Sequence, residues 1–263
     1  MATFRPVTVA ALEVPHRFGD VEGTLARVDN LLGGIPPGVD LVLLPECALT
    51  GYVSLDGRCD LTPFAEPLDG PTAKALAGLA RRHRVALAGP LVERDQARIF
   101  NTLLLFDAAG RYVGRWRKRH PWYPEHWASP GDLGTPVVTL AGLCITACIC
   151  FDVHFVAQCA AEELSMADVL LFPSAWVEAQ WGEDARASLL GDLARRFALT
   201  VVNANWGPGE PAVPGQGGSR VVLPSGEMLP ALGGIATATV LPSARRGGAA
   251  FSGAKTRGGP QRG

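Results

Sequence analysis

The first third of the chain alternates two hydrophobic periods. Val7–Val14 and Val39–Leu44 are dense apolar runs of strand length, whereas Gly23–Leu32 and Thr72–His83 repeat their apolar residues every three or four positions, as helices do. Val85–Glu93 returns to strand, and this rhythm predicts an α/β fold. Thr102–Asp107 and Tyr112–Arg117 stand on either side of Ala109-Gly110 at hairpin spacing, so the sheet is predicted to be mixed. Residues 137–151 then read as two strands about Ala141-Gly142, 154–165 as a helix, Val169–Pro173 as a strand, 183–198 as a helix and Thr200–Ala204 as a strand. Ser219–Leu223 and Ala236–Leu241 flank Pro224-Ser225-Gly226-Glu227 and are predicted to close the sheet as a hairpin.

Composition narrows the partners. The 263 residues carry 24 basic and 25 acidic side chains, so no global field draws the chain to nucleic acid or to a membrane, and a small molecule is the expected partner. The N-terminal stretch is broken by Glu13 and Pro15 and lacks the apolar core of a signal peptide, which predicts a cytoplasmic protein. The most apolar run, Val137 to Phe151, is too short to span a bilayer. Residues 1–242 read as one domain. From Ser243 the chain holds five basic residues, six glycines and no acid, and a disordered tail is expected, in preference to an RNA-binding one. Of six cysteines, four crowd into 144–159 in a chain that is no small secreted scaffold, so free thiols are expected.

Among these, Cys150 is the candidate nucleophile. Alternation along Cys144-Ile-Thr-Ala-Cys148-Ile-Cys150 puts Cys144, Thr146, Cys148 and Cys150 on one strand face, with Cys150 last before Asp152. A thiol there sits at the carboxyl edge of a sheet, where α/β folds bind ligands and the amides of a following helix favour thiolate. Cys144 and Cys148 read as core. A zinc site of Cys148, Cys150, His154 and Cys159 has the ligand types but no known spacing. His154 is near enough in sequence to serve as base, yet no residue can be picked to orient it, which turns attention to carboxylates.

Leu41-Val-Leu-Leu-Pro45-Glu46 places an acid at the end of an apolar strand, suited to general-base work. Trp116-Arg117-Lys118-Arg119-His120 runs into Pro121-Trp122-Tyr123-Pro124-Glu125-His126-Trp127, a basic and aromatic loop stiffened by two prolines. Its local charge and aromatics also suit a single-stranded nucleic-acid platform, a weaker reading given the balanced whole. A lysine held beside a carboxylate can stabilise an oxyanion.

In this order, Leu44-Pro45-Glu46 with Thr50-Gly51-Tyr52, Trp116 to His120, and Cys150-Phe151-Asp152 resemble the nitrilase superfamily of carbon–nitrogen hydrolases. The resemblance continues through Ala167 to Trp176, Val201 to Gly207, Gly217-Gly218-Ser219 and Pro224-Ser-Gly226. It implies a four-layer αββα sandwich with mixed sheets, and a Glu46–Lys118–Cys150 catalytic set with Glu125 as the second glutamate. It implies a thioester intermediate, no metal or organic cofactor, and a homodimer or higher homo-oligomer. The expected reaction is hydrolysis of a small amide or N-carbamoyl compound; nitrile hydrolysis, acyl transfer to an amine and a catalytically silent binding protein are the alternatives. Tyr52, Trp122, Tyr123, His126, Phe151, His154 and Trp176 are the candidate substrate-binding residues. The family often carries Arg where His154 stands, so this chain departs from it at the pocket.

Overall fold

The computed structural model describes residues 5–177 and 182–243. In chain order its first half runs β1 (Val7–Leu12), β2 (Pro15–Arg17), α1 (Val21–Gly33), β3 (Leu41–Leu43), α2 (Pro71–His83), β4 (Ala86–Asp95), β5 (Arg98–Phe106) and β6 (Tyr112–Arg117). The second half runs β7 (Val138–Leu140), β8 (Leu143–Ala147), α3 (Val156–Cys159), α4 (Ala161–Met166), β9 (Val169–Ser174), α5 (Gly182–Phe197), β10 (Thr200–Asn205), β11 (Gly207–Glu210), β12 (Arg220–Val222), β13 (Met228–Pro230) and β14 (Ile235–Val240).

Two six-stranded mixed sheets result, ordered β14-β1-β3-β4-β5-β6 and β13-β12-β10-β9-β8-β7. The alternation within each strand explains the layers. Val9 and Ala11 face inward with Leu41, Leu43, Leu103 and Leu105, and meet Ile145, Leu171, Val202 and Val221 of the other sheet. Their neighbours Ala10 and Leu12 face outward, where Val28 and Leu32 of α1 and Leu76 and Leu79 of α2 cover them. On the far side Leu170, Phe172 and Val201 are covered by Leu164 of α4 and Leu190, Leu193 and Phe197 of α5. Helices on both outer faces of two packed sheets make the αββα sandwich that the resemblance implied.

Three expectations from the pattern are corrected. The helix expected over 154–165 is broken into a 3-10 turn, Cys150–His154, and two short helices, α3 and α4. The hairpin partner of β12 is β13, joined through Leu223–Glu227, and β14 instead crosses to the other sheet and pairs antiparallel with β1. The chain makes that crossing at Gly233 and Gly234, both at positive φ, where glycine alone is unstrained. β13 is three residues ending in proline, too brief for a period to register. The third correction concerns Cys150, whose φ of 46° ends the strand alternation, so it packs in the inter-sheet layer while Cys148 points to the helices.

Of the tail expected to be disordered, residues 244–263 lie outside the described residues; Ser243 is held by a 2.7 Å hydrogen bond from its hydroxyl to Asp168. No helix among the described residues is long and apolar enough to cross a membrane.

Candidate active site

The candidate side chains come from strand ends that share one edge of the sandwich. β3 and β6 run in the same direction, so the residues just beyond them, Glu46 and Lys118, emerge together. In the facing sheet β8 and β9 are parallel and deliver Cys150 and Ala175 to the same edge. Tight chain reversals hold these ends. Gly51 has φ of 71° and its α-carbon lies so near the Phe18 backbone that a side chain would strike it.

Lys118 is 1% exposed, and its Nζ donates to Glu46 Oε1 and Glu125 Oε2, each at 2.7 Å. Glu46 and Glu125 are each 2% exposed. Asn101 Nδ2 donates to Oε1 of both acids at 2.8 Å, and the Ala175 backbone N–H donates to Glu46 Oε2 at 3.0 Å. The Trp122 N–H donates to Glu125 Oε2 at 2.5 Å, fixing the loop that carries it. Burying three charges is costly, and it is tolerated where opposite charges and hydrogen bonds give every carboxylate oxygen at least one donor in this way.

The charges shape the titrations. Burial acts to lower the Lys118 pKa, but Glu46, Cys150 and Glu125 outweigh it and hold the ammonium well above its usual value. Burial raises Glu125, with Lys118 opposing and Glu46 reinforcing. Burial pushes the Cys150 thiol well above its ordinary range, Glu46 adds to this, and Lys118 and the Ala175 N–H work against it. Burial therefore favours the neutral thiol at Cys150, against the thiolate expected from the following turn. The turn is 3-10 and five residues long, too little aligned peptide to outweigh burial.

Asp152, two residues after Cys150, accepts from the Arg119 N–H, the His120 N–H and the Ile149 N–H, and bonds the His120 ring Nδ1 at 2.8 Å. It fastens the lysine-bearing segment to the cysteine-bearing turn. Cys150 opens on a cavity walled by Trp122, Phe151, His154, Ala175, Trp176 and Val177. Burial lowers the His154 pKa and favours the neutral ring. Tyr52 is buried with its ring edge-on to Trp206, in one cluster with Cys47, Ala175 and Trp122, and burial followed by the charges of Glu125, Glu46 and Cys150 raises its pKa.

Trp122, Phe151, His154 and Trp176 thus line the cavity, and Tyr52 shares a cluster with Trp122 and Ala175 of its walls. Tyr123 and His126 do not join them: both are exposed and pack edge-on to each other on the outside of the loop. Cys148 is buried among helix-facing side chains, while Cys159 is exposed against Arg119, so these two point away from Cys150. All six cysteines are free. Sequence reasoning missed Asn101 and Ala175. An Asn inside the apolar strand β5 was a visible signal of a buried polar role; a backbone donor leaves none.

The sequence profile of the carbon–nitrogen hydrolase family matches residues 8–242. The chain is 28% identical over 222 residues to an (R)-stereoselective amidase of a Pseudomonas species, covering 84% of this chain and 79% of that one. To the beta-ureidopropionase of Arabidopsis thaliana it is 27% identical, over 59% of this chain and 41% of the relative. A cysteine-to-alanine mutant of the Nesterenkonia AN1 amidase, of the nitrilase superfamily, superposes with a TM-score of 0.77 at 25% identity, covering 93% of this chain and 94% of that one. The fold and the profile together define a hydrolase of carbon–nitrogen bonds other than peptide bonds. The chain belongs to the carbon–nitrogen hydrolase family.

Proposed function

We propose that the protein hydrolyses a small, uncharged amide or N-carbamoyl compound through a thioester on Cys150. The observation that carries this is the Lys118 ammonium bridging two buried carboxylates beside the buried Cys150, whose burial favours the protonated thiol. A neutral thiol needs a base at the moment of attack, and Glu46 is that base. As Sγ bonds to the substrate carbon, the thiol proton passes to Glu46, and the oxyanion is held by Lys118 and the Phe151 N–H. Collapse breaks the C–N bond, and Glu46 returns the proton to the leaving nitrogen. Water, deprotonated by Glu46, then adds to the thioester; collapse breaks the C–S bond, Glu46 returns the proton to Sγ, and the acid is released. Glu125 positions Lys118.

The described cavity walls support an uncharged substrate: apart from Cys150 and His154, whose ring burial shifts toward the neutral form, they are aromatic or aliphatic. A carboxylate or ammonium entering among these walls would lose its hydration with no counter-charge among the described lining residues. Relatives named amidase, formamidase and N-carbamoylputrescine amidase support the amide and carbamoyl classes.

The test is ammonia release from primary amides, N-carbamoyl amines, ureas and nitriles, with Cys150→Ala run in parallel. Turnover by the wild type alone, with neutral amides leading the panel, is the expected result. Added hydroxylamine should trap the acyl group as a hydroxamate. Release by Cys150→Ala at the wild-type rate, or none from any amide or carbamoyl compound, would overturn the reading.

A further inference from the structure

At the end of the sandwich away from Cys150, the two sheets part around a cavity of about 320 Å³. Its position follows from strand direction: Val7, Leu41, Ala86 and Leu143 are the first residues of β1, β3, β4 and β8, or open them directly, whereas the catalytic groups follow strand ends. The floor is apolar, made by these side chains with Leu140 and Ile145, and continues into the inter-sheet core. Its mouth is lined by the small residues Ala108, Ala109 and Ala141.

The rim carries Arg5, Arg84 and Arg111 against Asp40 and Asp107. Arg5 pairs with Asp40 at 2.6 Å and Arg111 with Asp107 at 2.7 Å. Arg84 has no hydrogen bond or ion pair from its side chain among the described residues, which leaves one positive charge in excess. It also stands at the C-cap of α2 with φ of 54°, a left-handed position where glycine is the favoured residue. The chain keeps a long cationic side chain where local conformation favours none.

We propose that this cavity is a binding site, separate from the catalytic one, for a small amphiphilic carboxylate: an unbranched acyl chain enters between the sheets and its carboxylate pairs with Arg84. The volume lies at the lower end of the range that small-molecule pockets occupy, and a planar guanidinium matches a carboxylate in two parallel hydrogen bonds. This inference does not rest on the proposed reaction.

The probe is octanoate, titrated calorimetrically into the full-length protein, with octanol and acetate as controls for head group and chain. Wild type is expected to bind one octanoate, with both controls at least tenfold weaker. Arg84→Gly removes the cation at a backbone position that glycine accepts, so folding is not at risk; it should weaken octanoate at least tenfold and leave amide turnover unchanged. Arg84→Glu should abolish binding. Absence of binding to the wild type, equal affinity for octanol, or octanoate affinity unaltered in Arg84→Gly would each overturn the proposal.

Discussion

Without the Asn101 side chain, Glu46 Oε1 and Glu125 Oε1 would each lose a donor in a region closed to water. Hydrogen bonds to charged groups contribute about 1.5–3 kcal/mol each, so Asn101→Leu should lower stability by about 3 kcal/mol or more and reduce kcat at least tenfold. Asn101→Asp should do worse, since it sets three acids around one ammonium. Urea unfolding and turnover assays check both, and an unchanged midpoint and rate in Asn101→Leu would remove the amide from the account. At this scale the sequence was legible where a residue's place in an element gave it away. Glu46 and Cys150 end apolar strands, and Glu125 lies seven residues past Lys118 in one stiff loop. Asn101 lies 55 residues from one partner and 24 from the other, and no local pattern joins such groups.

Elements depend on a few side chains that close their ends. Asp20 accepts from the Gly23 N–H at the start of α1 and pairs with Arg27. Asp20→Ala should cost about 1 kcal/mol in urea unfolding and leave turnover as it was, because α1 lies on the outer face of its sheet. Asp152→Ala should do the reverse. It releases the Arg119-His120 backbone from the cysteine turn, so kcat should fall about ten- to a hundredfold while circular dichroism stays near that of the wild type. Its role is to position Lys118, and a fall in KM alone would contradict that. The long, periodic elements matched their predicted ranges closely: α2 is Pro71–His83 and α5 is Gly182–Phe197. Misreadings fell where elements are three to six residues long, as in β2, β13, α3 and α4, because a period needs several repeats to show.

Across the whole molecule the buried thiols shift in one direction. Thiols of Cys47, Cys148 and Cys150 all titrate well above 9.0, chiefly through burial, so above that pH the unfolded chain loses protons that the folded chain keeps, and stability falls. Lys118, raised above 10.5 by its acid partners against the effect of burial, contributes fully below that value and loses its contribution as pH rises through its folded titration. Unfolding free energy from urea melts should therefore drop from about pH 9 to pH 11, by about 1.4 kcal/mol per pH unit for each buried thiol that keeps its proton, and the melting temperature should fall with it. Cys148→Ala, remote from the charged cluster, should make that descent shallower; an equally steep descent would assign it to other groups. The sandwich itself was legible through the family resemblance, whereas periodicity alone showed one mixed sheet, since nothing in a strand's pattern says which sheet it joins. That distribution has a consequence for the chemistry. In the proposed mechanism the proton carrier and its ammonium belong to one sheet and the nucleophile to the other, so neither half of the chain holds a working set of groups. Turnover then acts as a gauge of how well the two sheets stay in register. A slip of one layer by a fraction of a residue would silence the enzyme while both layers kept their strands.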